Sequence, residues 1–332
     1  MPIKRRTIIS IKKPKFLRKK IEKKPLVFKI NKSIKFIIIL LMLLFLEAFR
    51  NKKKIRLIPL KIFKDTMKRK SFDEFKPHKV FIEAHRGVNR QIFENTKESI
   101  ELAIKYGLDS FETDLWLSKD NVGVLVHGKS SSDIRDSYNR NYKVIYTNWA
   151  QLSTARTKRG NLTMPKFEDI IKLTKNKIFM NLEIKDSRVD LVFPYIVQLL
   201  EKYDYFDQIS ISSFHHRYYN KIVEFNKNNK LGKKLSFGFL YGRGMKAKYL
   251  PFHAKNNSLN LYWRTITKEI CDKAHANKMA VMAWFYMGEN ETYNIYKRLF
   301  DYGIDIICSN DPLKAKQFRD LYYNKKIKNL PK

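Results

Sequence analysis

The chain contains only two cysteines, Cys271 and Cys308, among 332 residues. Two thiols at that separation support neither a disulfide framework nor a zinc spacing, and they leave the redox compartment open. Acidic residues are also scarce, 32 Asp and Glu against 68 Lys and Arg, for a formal net charge of +36. The imbalance is local: residues up to Lys79 carry 26 of the basic side chains and only 5 of the acids. Such a segment suits an anionic membrane surface or a nucleic acid, but nothing beyond charge speaks for nucleic acid, which is not the expected partner. A full-length hydrophobic run is missing too. The longest, FIIILLMLLFL at 36–46, reaches Phe49 with its apolar flank, short of the roughly 20 residues that cross a bilayer. Three readings compete for it: a short anchor with Lys35 and Arg50 snorkelling, a signal-peptide core, or a buried helix. The anchor is favoured because no small-residue cleavage site follows. Basic side chains on both flanks leave its orientation open. The expected organisation is a basic tail over 1–33, a membrane anchor over 34–49, a basic linker over 50–78 and one globular domain over 79–325, giving a membrane-anchored protein.

From Lys79 onward the composition becomes that of an α/β domain, and 44% apolar content over the whole chain is enough for a core. KVFIEAHRG reads as a buried strand ending at His85, Arg86 and Gly87. ENTKESIELAIKYG reads as a helix capped by Asn95 or Thr96 and stopped by Gly107. Further strands are expected around Glu112, over IFMNLEIKD, and at 208–214, 235–240, 258–263, 279–285 and 304–310. Helical patterns fall between most of them, and the link before Ser258 has none. Eight strands alternating with helices favour a parallel sheet closed into a (β/α)8 TIM barrel, with a small antiparallel hairpin inserted after the second strand. In such barrels chemistry gathers at the C-terminal strand ends, where His85, Glu112, Asp114, Glu183, Lys185 and Trp284 all fall.

The stretch FETDLWLSKDNVGVLVHG, 111–128, organises the rest. Its first half alternates as a strand, so Glu112 and Asp114 share a face. Two carboxylates buried side by side are costly without a cation between them, and the spacing therefore points to a divalent metal site. Only Ser118, Lys119, Asp120 and Asn121 separate this strand from the next, too few for a parallel crossover, so an antiparallel ribbon is expected. A turn centred on Lys119 and Asp120 would set His127 opposite Glu112, roughly 5 Å apart at Cβ.

Together these residues suit phosphodiester chemistry. Glu112, Asp114 and Glu183 offer hard oxygen ligands to one Mg²⁺ or Ca²⁺, and Arg86 and Lys185 suit phosphate oxygens. His85 and His127 suit the transfer of a proton from an attacking hydroxyl to a leaving alkoxide, in either order. Trp284 reads as core or pocket wall. His215, His216, His253 and His275 lack such company and read as surface or packing residues.

AHRG with a following FENT, then FETDLWLSKDNVGVLVHG, NLEIKD, SSF and GIDIICSNDP resemble the ordered motifs of glycerophosphodiester phosphodiesterases over about 80–320. The resemblance implies a TIM barrel, a divalent cation on Glu112, Asp114 and Glu183, and catalysis by His85 and His127. It also implies phosphate contacts from Arg86 and Lys185, with Glu94 and Asn95 supporting the site. The reaction would cleave a glycerophosphodiester to glycerol 3-phosphate and an alcohol; the substrate could also be a lysophospholipid cleaved in lysophospholipase D fashion. A phospholipase C or sphingomyelinase D-like activity and a non-catalytic headgroup-binding barrel are the alternatives. Three departures bear on substrate choice: Phe93 stands where the family has Pro, Gly128 where it has Asp, and FYMGEN follows at 285–290 where it has Thr-Val-Asn. Oligomeric state is left open.

Overall fold

The computed structural model describes residues 79–128 and 133–324. Eight parallel strands close into a barrel: β1 (Phe81–Ala84), β2 (Ser110–Leu117), β6 (Phe179–Ile184), β7 (Ile209–Ser213), β8 (Phe237–Tyr241), β9 (Ser258–Tyr262), β10 (Ala280–Trp284) and β11 (Ile306–Ser309). Each pairs with the next, and β1 closes the ring by pairing with both β2 and β11. Covered on both sides, β1 and β6 are buried at every position rather than at alternate ones, their polar residues included.

The helices are α1 (Lys97–Lys105), α2 (Trp149–Leu152), α3 (Phe167–Thr174), α4 (Val189–Tyr203), α5 (Arg217–Asn228), α6 (Lys268–Ala276), α7 (Tyr293–Asp301) and α8 (Pro312–Tyr323). Local chemistry sets where they start. Thr96 caps α1 through a reciprocal bond with Ser99, Thr267 and Thr292 cap α6 and α7, and Asp311 caps α8 with Pro312 in the first turn. Between β8 and β9 there is only a single 3₁₀ turn at Ala247–Tyr249, matching the absence of a helical period there. At the closing seam, Arg319 of α8 donates to the Val80 carbonyl at 3.1 Å and pairs with Asp109, whose Oδ2 also accepts from the Ile82 amide at 2.8 Å.

Below the barrel mouth lies a polar layer. Glu83 accepts from Asn181 and Ser110, both at 3.0 Å, and Ser212 donates to Asn181 at 2.9 Å. Gly238 makes room for the next member, Asn260. A Cβ there would come within 2.9 Å of Asn260 Cγ and 3.0 Å of Ser212 Cβ. Gly238→Ala is therefore expected to destabilise the barrel by about 1–3 kcal/mol through overpacking, read as a lower urea midpoint at unchanged slope.

The hairpin after β2 forms, but one residue out of the expected register. Strand β3 (Gly123–Leu125) pairs Leu115 with Leu125, Trp116 with Val124 and Leu117 with Gly123. The cause is the turn. Asn121 takes a left-handed conformation (φ 59°), and the Ser118 hydroxyl and carbonyl accept from the amides of Val122 and Asn121. The loop thus has three residues, ending in a left-handed one, rather than two. Beyond β3, a second hairpin, β4 (Asp133–Arg135) with β5 (Asn141–Lys143), and α2 occupy what reads in the sequence as a polar loop.

The membrane-anchored localisation does not stand: among the described residues no helix is long and apolar enough to cross a membrane. The stretch 34–49 expected to anchor the chain, with the basic tail and linker around it, lies outside the described residues.

His275, on α6, donates from Nε2 to Asp305 Oδ2 at 2.9 Å, and that bond raises its pKa above the ordinary imidazole value. A group whose folded pKa is raised stabilises the fold fully below its unfolded pKa and loses that contribution as pH rises through the folded value. His275→Gln should accordingly lower the urea midpoint more at pH 5.5 than at pH 8.5.

Candidate active site

Glu112 and Asp114 lie on one face of β2, both buried and both pointing into the barrel mouth with Glu183 of β6, the residue paired with Asp114. One ligand oxygen from each of the three lies within 4.8 Å of the others. Glu112 Oε1, Asp114 Oδ1 and Glu183 Oε1 are all buried, and Glu112 Oε1 meets no hydrogen-bond donor. Lys185 partly answers them, its Nζ standing 2.5 Å from Glu183 Oε1 and 3.3 Å from Asp114 Oδ1.

Burial, followed by the charges of Asp114 and Glu183, pushes the Glu112 carboxyl well above its usual range. Burial acts on Asp114 in the same sense, but Lys185 and Arg86, with His127 and the bond from Asn95, hold it well below. Burial likewise raises Glu183. Three buried acids turned to one centre, one oxygen unpartnered and two met only by an ammonium, suit a hard divalent cation, so these residues fit the metal their spacing implies.

The segment between β1 and α1 wraps one side of this cluster. Arg86 adopts a left-handed conformation (φ 58°), and its amide donates to Glu112 Oε2 at 3.0 Å. Gly87 follows at φ 78°, where a Cβ would meet the Ser99 backbone at 2.9 Å, so only glycine fits. The Arg86 guanidinium reaches Asp114 at 3.2 Å and forks onto both oxygens of Glu94 at 3.0 Å. Asn95, also left-handed (φ 54°), donates to Asp114 Oδ2 at 2.7 Å. Arg86 is thus tied chiefly to carboxylates.

His85 stands with Nε2 3.9 Å from Glu112 Oε2 and Nδ1 2.7 Å from Asn310 Oδ1. Asn310 Nδ2 donates to the Tyr286 carbonyl at 2.9 Å, which orients the amide so that its oxygen faces the ring. His85 must then carry its proton on Nδ1 and present the Nε2 lone pair to the site. Burial, then the Arg86 charge, pulls its pKa down to about 3. His127 follows β3 where the ladder has ended, so the shifted register does not carry it away. Its Nδ1 lies 2.6 Å from the Gly128 carbonyl, and it is close enough to Asp114 for the two charges to act on each other. Burial lowers it to about 4. Trp284 is pocket wall, its indole donating to the Tyr241 carbonyl at 3.2 Å.

Sequence reasoning missed Asn310, Asn89 and Glu291. Asn89 donates to the His85 carbonyl at 2.6 Å, and buried Glu291 accepts from the Asn310 amide at 2.8 Å and from Tyr296 and Ser309. Asn310 lies inside the GIDIICSNDP run; Glu291 sits in a loop without periodicity and left no signal.

Buried carboxylates, imidazoles and cations at the C-terminal rim of a closed parallel barrel make up a set of groups suited to cleaving a phosphodiester. The chain belongs to the glycerophosphoryl diester phosphodiesterase family, which it matches over residues 85–314. A glycerophosphodiester phosphodiesterase of Bacillus altitudinis is 25% identical over 249 residues, 71% of this chain and 97% of that relative. In fold, the chain resembles a candidate glycerophosphodiester phosphodiesterase of Galdieria sulphuraria (TM-score 0.64, 24% identity, 73% of this chain and 98% of that one). It also resembles a phosphodiesterase of Oleispira antarctica solved with the product sn-glycerol-3-phosphate (TM-score 0.59, 19% identity, 76% and 100%).

Proposed function

We propose that this phosphoric diester hydrolase cleaves glycerophosphodiesters to glycerol 3-phosphate and an alcohol. The observation that carries this reading is the convergence of Glu112, Asp114 and Glu183 within 4.8 Å, flanked by two imidazoles and two cationic side chains. The three carboxylates would hold one Mg²⁺ or Ca²⁺, which when bound polarises a phosphoryl oxygen and offsets charge developing in the transition state.

The chain's own groups do the rest. Arg86 and Lys185, already anchored on Asp114, stand where remaining phosphate oxygens would be met. Each imidazole holds its Nδ1 on a fixed acceptor and offers Nε2 for proton traffic. One neutral imidazole takes the proton of the attacking glycerol hydroxyl and the other, once protonated, delivers one to the departing alkoxide, a poor leaving group without it; water, deprotonated by the second imidazole, then opens the cyclic phosphate so formed to glycerol 3-phosphate. Glu94 and Asn95 keep the Arg86 fork and the Asp114 carboxylate in place. The glycerol 3-phosphate seen with the Oleispira antarctica phosphodiesterase is consistent with this product.

The test is glycerol 3-phosphate release from glycerophosphocholine and glycerophosphoinositol, and choline release from lysophosphatidylcholine, by the full chain. Release should be lost on chelation and restored by Mg²⁺ or Ca²⁺. Release that persists in excess chelator would sink the metal assignment; release of a phosphorylated alcohol with free glycerol would sink the bond assignment.

A further inference from the structure

Part of the barrel mouth takes no part in holding phosphate. From Lys185 an aromatic wall runs through Phe214, whose ring centroid is 5.8 Å from the ammonium, to Trp284 at 6.2 Å and Tyr286 at 4.7 Å beyond it. Tyr262 packs on both Trp284 and Tyr286. Tyr286 and Glu289 lie in the FYMGEN segment, where the chain departs from the family pattern.

Glu289 organises this end. It accepts from the Tyr262 hydroxyl at 2.6 Å, the Trp263 indole at 3.0 Å and the Tyr286 amide at 3.1 Å, and it pairs with Arg243 at 3.4 Å and Arg264 at 3.9 Å. The Arg243 guanidinium is thereby held over two aromatic faces, 4.5 Å from the Tyr286 centroid and 5.1 Å from that of Tyr262. The Tyr286 carbonyl accepts from Asn310, the residue that orients His85, so this arrangement is tied back to the reacting centre. The Arg243 side chain is 64% exposed and can meet a ligand.

Open tyrosine and tryptophan faces attract quaternary ammonium groups. Here a guanidinium already covers two of them, and a trimethylammonium group would meet a like charge. An anion would meet a stacked guanidinium with N–H donors to spare. We propose that Arg243, with Tyr262 and Tyr286, forms the subsite for the departing alcohol, favouring one that carries an anionic group and disfavouring one that carries a quaternary ammonium. This rests on the phosphodiesterase reading of the same site.

The experiment compares kcat/KM of the full chain for glycerophosphoinositol 4-phosphate, glycerophosphoglycerol and glycerophosphocholine, in wild type and Arg243→Ala. Wild type should prefer the anionic substrate. The substitution should lower kcat/KM for it about tenfold, mainly through KM, while glycerophosphocholine gains and glycerophosphoglycerol changes little. A wild-type preference for glycerophosphocholine, or substrate ratios that Arg243→Ala leaves within twofold, overturns the subsite while leaving the phosphodiesterase reading in place. If wild type turns over none of the three, that reading falls and the subsite with it.

Discussion

Glu112→Gln is expected to cut glycerol 3-phosphate release by about a thousandfold and, in metal-free buffer, to leave the barrel at least as stable as wild type. The two effects have one cause. Glu112 is buried beside Asp114 and Glu183, and its carboxyl is raised well above the usual range because the charged form is disfavoured there. A neutral isostere escapes that penalty while its oxygen still accepts from the Arg86 amide. The same substitution would remove one of the three anionic ligands proposed for the cation. Loss of about 4 kcal/mol of transition-state stabilisation by the cation would be worth about a thousandfold in rate. Thermal melts with and without Mg²⁺ check the stability half: added cation should raise the wild-type midpoint and leave that of the variant unchanged. A variant that is both unstable and inactive would point to a structural role for Glu112 instead.

The second large effect concerns His85. His85→Ala is expected to lower kcat by about 10²–10⁴-fold, the range of a lost acid–base group, with little change in KM. Asn310→Ala should cost less, since the imidazole remains but its proton is no longer held on Nδ1. The pH profile carries the sign. Burial first, then Arg86, pulls His85 down to about 3, so the imidazole stays neutral well below the ordinary value. Burial lowers His127 as well, to about 4, so whichever imidazole is the base loses activity only as pH falls through a lowered pKa, and the acid limb of kcat/KM should lie well below pH 6.5. A limb at 6.5 or above would contradict the lowered imidazoles.

Much of this was legible in the sequence, for identifiable reasons. The barrel strands announced themselves as short segments rich in apolar and β-branched residues, and the helices between them carry capping residues such as Thr96 and Asp311 in plain view. Glu112 and Asp114 were readable because a strand's period of two puts them on one face whatever the rest of the chain does. The hairpin register was not, since it turned on Asn121 adopting a left-handed conformation, which adds one residue to the loop. The three-residue strands β4 and β5 are too short to impose a pattern. Glu289 and Glu291 were invisible for another reason: their partners lie on β9, β11 and α7 or in flanking loops, and only the closed barrel brings them together.

The central claim is that three acids from two strands hold one divalent cation on which phosphodiester cleavage depends. Titrating Mg²⁺ or Ca²⁺ into the chelator-treated full chain by calorimetry tests this without recourse to turnover. The account predicts one cation per chain in the wild type and none at this centre in Glu112→Gln. Wild type that binds no cation, or a variant that binds it as tightly, would contradict it.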